Sequence, residues 1–98
     1  MVYKREDIMD VFGTIHTEDY VLTLEESEGN LFCHIKLRNW STSVYKRMLV
    51  DLNQIRECVG VPLFCNIQRT EDFKIKLAMM FGFMIIAQTD TTYLMELL

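Results

Sequence analysis

Residues 31–60 read LFCHIKLRNWSTSVYKRMLVDLNQIRECVG, and the fold turns on where this stretch changes its period. In the first part Leu31, Cys33, Ile35 and Leu37 alternate with Phe32, His34, Lys36 and Arg38, the two-residue repeat of a strand with one buried face. From Ser43 to Val59 the apolar residues are Val44, Met48, Leu52, Ile55 and Val59, spaced by four, four, three and four. That spacing makes an amphipathic helix of about four turns. Ser41, Thr42 and Ser43 offer N-caps, and Gly60 followed by Pro62 is a stop signal. A strand therefore feeds a helix through a short polar hinge, leaving bare backbone N–H groups at the helix start, where they attract anions.

The flanking segments extend this unit in both directions. VPLFCNIQ (61–68) is short and almost continuously apolar, which predicts a strand buried on both faces and paired in parallel, closing a right-handed βαβ crossover. Before the hinge strand, YVLTLEE (20–26) alternates Tyr20, Leu22 and Leu24 with Val21, Thr23 and Glu25, and the intervening SEGN supplies a turn, so an antiparallel hairpin is expected. Residues 4–12 predict a short helix ended by Gly13, followed by a polar loop, TIHTED. Thr70 opens a second helix, with Glu71 and Asp72 in its first turn and Phe73, Leu77, Met80 and Phe81 as its core stripe. Gly82 ends it, Phe83 can pack back on its last turn, and the tail reads as a closing hairpin. The order α-β-β-α-β-α-β-β describes one α/β domain over residues 1–98: a helix and loop (1–18), then an α+β mixed sheet (19–98) with helices on its faces.

Composition limits the function classes. The chain has 98 residues, half of them hydrophobic, enough for one core. Charges interrupt every apolar run before the roughly 20 residues of a membrane span, and acids near the amino terminus argue against a signal peptide, so a cytoplasmic protein is expected. A net charge of −4 argues against binding nucleic acid or an anionic membrane. Between residues 36 and 47, however, there are four basic side chains, Lys36, Arg38, Lys46 and Arg47, and no acid. Cys33, Cys58 and Cys65 lack CxxC spacing and are expected as buried thiols, without disulfide or metal.

The hinge Arg38-Asn-Trp-Ser41-Thr-Ser43 is the first candidate site, since a phosphate could rest on its amides with Arg38 supplying a fork of donors. Alternatively, the serines serve only as caps. His34 is a general base if it lines a cleft and otherwise a surface histidine. Glu25 and Glu26 are a base on a neighbouring strand or solvated acids. The seven methionines fill the core or form an adaptable surface, and Trp40 flanks a ligand or covers the core.

Laid out in this order, the second half of the chain resembles the Gcn5-related N-acetyltransferase (GNAT) family. Arg38-Asn-Trp-Ser41-Thr-Ser43 falls on that family's Q/R-x-x-G-x-G/A hinge, VPLFCNIQ on the following strand, and FKIKLAMMFGF on the helix that ends in Gly-Phe. The resemblance implies acetyl-CoA as cofactor, with Leu37, Arg38, Ser41, Thr42, Ser43 and Val44 as the acyl-CoA site. It also implies a pantetheine arm between Leu37-Arg38 and Leu63-Phe64, and transfer of acetyl to an amine. The sequence departs from the pattern at Ser41 and Ser43, where the family keeps glycine, at Ala78, where it carries a proton-donating Tyr, and at Glu71, where it carries Asn. These departures leave a second expectation, a GNAT fold kept as a non-catalytic interaction or structural protein. Trp40 and the closing hairpin are also similar to acetyltransferase-like internal virion proteins of tailed phages, which would place it in host cytoplasm or virion. An exposed sheet edge offers pairing to a second copy, so a homodimer is expected.

Overall fold

In a computed structural model the described residues are 11–98, and they form six strands and two helices. In chain order these are β1 (Val11–His16), β2 (Tyr20–Ser27), β3 (Asn30–Leu37), α1 (Thr42–Val59), β4 (Leu63–Gln68), α2 (Asp72–Met80), β5 (Met84–Gln88) and β6 (Thr92–Leu97). The sheet is mixed, ordered β1-β2-β3-β4-β6-β5. Every neighbouring pair is antiparallel except β3 and β4.

The β2–β3 hairpin forms where the alternation predicts it, with Leu24 opposite Cys33 and Leu22 opposite Ile35. Its turn is Glu28-Gly29, both with positive φ, 52° and 82°, the two-residue geometry that matches strand twist. α1 buries Val44, Met48, Leu52 and Ile55 as its spacing requires. Ser41 caps its start, and Gly60 ends it in the left-handed region at φ 64°. α2 ends in a Schellman motif: the Gly82 N–H donates to the Met79 carbonyl at 3.0 Å and the Phe83 N–H to the Ala78 carbonyl at 3.0 Å. Phe83 turns back into the core as expected.

The core lies on one face of the sheet. Tyr20, Leu22, Leu24, Leu31, Cys33, Leu63, Cys65, Ile67, Met95 and Leu97 join the buried residues of both helices in a single cluster. Both helices therefore share a face. On the other face Val21, Thr23, Phe32, His34, Phe64 and Asn66 are half-buried or exposed. No described helix is long and apolar enough to cross a membrane.

Four expectations change. The helix proposed over residues 4–12 lies mostly outside the described residues, but Val11 and Phe12 at its end, with the loop residues that follow, form β1. This strand pairs Ile15 with Leu22 and carries a bulge between Val11 and Gly13; the ladder along β2 outweighs the turn signal of Gly13 and Thr14. β4 is buried on one face only, since Asn66 and Gln68 are exposed while Leu63, Cys65 and Ile67 are buried. In α2, Leu77 and Ala78 are buried, whereas Phe73 and Met80 are 53% and 52% exposed. Cys58 is exposed on α1, and only Cys33 and Cys65 are buried thiols.

Candidate functional site

β3 and β4 begin side by side and then part. Leu31 pairs with Leu63 and Phe32 with Phe64, and the parallel ladder ends there. Beyond it residues 33–37 pair only with β2, and residues 65–68 only with β6. The two inner edges thus present backbone N–H and C=O groups to a gap rather than to a strand, where water or a ligand can satisfy them.

The gap is a cleft of about 610 Å³. One wall is Cys33, Ile35 and Leu37, the other Cys65 and Ile67, while Phe73, Leu77 and Ala78 of α2 close it from the helical side with Phe81 and Phe83. His34, Lys36, Asn66, Glu71 and Lys74 also border it. An apolar channel with a few polar groups at its rim is the usual make-up of a small-molecule site. At the closed end, burial pushes both the Cys33 and the Cys65 thiols up to about 12, and for Cys33 the neighbouring Cys65 adds to this. Neither is a nucleophile near neutral pH.

The cleft connects with the hinge through aromatic rings. Phe73, on the cleft wall, meets Trp40 edge-on with centroids 5.8 Å apart, and Trp40 meets Tyr45 at 6.1 Å. Tyr45 stacks on Phe81 at 5.3 Å, and its hydroxyl donates to the Met80 carbonyl at 3.1 Å. The first turn of α1 is thereby tied to the last turn of α2.

At the hinge the Val44 N–H donates to Ser41 Oγ at 3.2 Å, and the Ser41 and Ser43 hydroxyls lie 3.1 Å apart. The first intrahelical bond runs from the Tyr45 N–H to the Ser41 carbonyl, so the amides of Thr42 and Ser43 stand ahead of the helical ladder. Asp19 anchors the approach: its carbonyl accepts from the amides of Arg38 at 2.7 Å and Asn39 at 3.1 Å. Its carboxylate accepts from Arg47 and from Asn39 Nδ2. Those two side chains, Arg47 foremost, hold the Asp19 carboxyl below its ordinary range. One of the four basic residues of the hinge region is therefore already paired.

Of the residues expected to form an acyl-CoA site, Leu37 lines the cleft. Arg38, Ser41, Thr42 and Ser43 are exposed at the hinge beyond its end, and the Val44 side chain is buried in the core, so only its amide faces the helix start. The flank expected at Leu63-Phe64 is the closed, paired end, and the open wall is Cys65 and Ile67. Phe73 and Leu77 were not foreseen as cleft residues, because apolar side chains at helical spacing carry no mark separating a cleft wall from a core; Ala78, marked only by the resemblance, lines the cleft beside them. His34 does border the cleft, and its Nε2 lies 3.0 Å from Glu25 Oε1. The register explains the contact: His34 faces Thr23, so Glu25 is its diagonal neighbour on β2. Among the described residues no group of His, Cys, Asp or Glu is placed to hold a metal ion.

Comparison with protein-family models, curated proteins and solved structures finds no match to this chain.

Proposed function

We propose that this is a reduced GNAT-like domain that binds an acyl-CoA, with the pantetheine arm in the cleft between β3 and β4. The observation that carries the reading is the parting of these strands after Phe32 and Phe64. Pantetheine is an extended chain with two amides and an apolar body. Its amides suit the unpaired edges of residues 33–37 and 65–68, as an added strand does, and its methylenes suit the apolar walls. Its phosphates, at the open end, would reach the hinge, where the Thr42 and Ser43 amides and Arg38 favour an anion.

Two observations bear on turnover in opposite directions. Ala78 sits in the cleft wall without a hydroxyl to protonate a departing thiolate, which favours binding without transfer. The His34–Glu25 contact at the cleft rim favours transfer to an amine, with His34 taking the amine proton and Glu25 orienting its ring. Release of free CoA thiol from acetyl-CoA in the presence of a primary amine separates the two.

Isothermal titration with acetyl-CoA, on wild type and on Ser41→Asp, tests the reading itself. Aspartate keeps the N-cap but sets a negative charge against the phosphates, so affinity should fall by at least ~1 kcal/mol with no loss of stability. A wild type that takes up no acetyl-CoA at millimolar concentration overturns the proposal.

A further inference from the structure

β5 closes the sheet at the end away from β1, and among the described residues its outer edge has no strand. All five of its residues are exposed, with Met84, Ile85 and Ile86 at 68%, 39% and 49%. Folded chains guard such an edge with charge, proline, covering structure or a bulge. From Phe83 to Thr89 there is no charge and no proline, and among the described residues none covers the strand. Only a bulge is present, between Ile85 and Ala87. Met79 and Met80, at 49% and 52% exposure, add apolar surface just before the strand.

We propose that β5 is a self-association edge, pairing antiparallel with β5 of a second copy about a two-fold axis near Ile86, the residue that the bulge leaves without a partner on β6. A two-fold antiparallel pair is self-complementary in its backbone whatever the sequence, since each copy offers the other the same row of donors and acceptors. Side chains decide whether it forms, because identical strands set like charges together wherever they carry them. An uncharged Phe83–Thr89 stretch removes that penalty, so the edge is compatible with a second copy of itself, the occupant to which the proposal commits. The sheet would run on through both copies as twelve strands, from the six of one chain. This inference stands apart from the acyl-CoA reading, since β5 is not part of the cleft wall.

The test is sedimentation equilibrium from about 1 µM to about 1 mM, the range in which small interfaces associate, on wild type, Ile86→Lys, Ile86→Glu and Met84→Lys. Far-UV circular dichroism establishes that each variant is folded. Wild type is expected to pass from monomer to dimer across this range. Each folded single variant should weaken association at least tenfold, and an equimolar mixture of Ile86→Lys with Ile86→Glu should recover it, because opposite charges then meet at the axis. Wild type that stays monomeric throughout overturns the proposal. So does a dimer that all folded variants retain, and so does a lysine–glutamate mixture that associates no better than its components.

Discussion

Phe32 and Phe64 face each other across the last rung of the β3–β4 ladder, their ring centroids 5.9 Å apart. One residue further along each strand stand Cys33 and Cys65, where the strands begin to part. A six-stranded sheet that is continuous at this rung and open beyond it gains a cleft that runs between two strands to the core side chains of α2. The two rings lie on the sheet face away from the helices and add their contact to the rung that limits how far the cleft extends.

The thiols at the parting should be inert. With Cys33 and Cys65 pushed up to about 12 by burial and Cys58 exposed, iodoacetamide at about pH 8 should modify Cys58 alone in the folded protein. Mass spectrometry should show one adduct, rising to three in denaturant. A second adduct forming at the rate of the first would show that burial does not protect the pair.

The same groups set the alkaline limit of stability. Both thiols move up from an ordinary 9.0 in the unfolded chain to about 12 in the folded one. Tyr20 is also raised above its ordinary 10.0, by burial first and then by donating to Asp51. Each group holds its proton more tightly when folded, so its contribution is whole below the unfolded value and is lost as pH rises toward the folded one. Urea midpoints should be flat to about pH 9 on this account and fall between about 9 and 12. A Cys33→Ala, Cys65→Ala variant should show a shallower alkaline fall, and an unchanged slope would contradict the assignment.

Gly82 should be the least replaceable residue outside the core. Its φ of 100° is one that side chains rarely adopt, and an added Cβ would lie 3.1 Å from Leu97 Cδ1. Gly82→Ala should lose about 1–3 kcal/mol in urea unfolding from backbone strain. By contrast Gly29→Asn, in the hairpin turn where nothing lies within 4 Å of a Cβ, should cost less than about 1 kcal/mol because Asn tolerates positive φ. Equal losses at the two sites would remove the distinction.

The sequence showed most of this architecture and little of the site, for a physical reason. Periodicity reports which side chains meet the core, so β2, β3 and α1 were legible from Tyr20, Leu22 and Leu24, from Leu31 and Cys33, and from Val44, Met48, Leu52 and Ile55. Gly82-Phe83 announced the Schellman turn as a local motif does. β1 was hidden because its pairing with β2 is tertiary, and Gly13 and Thr14 speak for a turn. The cleft was hidden for a related reason: Ile35 and Leu37 obey the same alternation as Leu31 and Cys33, and nothing local says that the neighbouring strand departs after Phe32. Hinge residues stand out by composition, whereas Phe73 and Leu77 become cleft residues only through the position of α2.

The central claim is that the gap between β3 and β4 is a ligand channel, and its most direct test is a two-dimensional amide NMR titration with acetyl-CoA. The account predicts that the amides of Ile35, Leu37, Cys65 and Ile67 shift together with those of Thr42 and Ser43, while β1 and β5 stay still. Absence of shifts at saturating ligand, or shifts gathered away from β3 and β4, would contradict it.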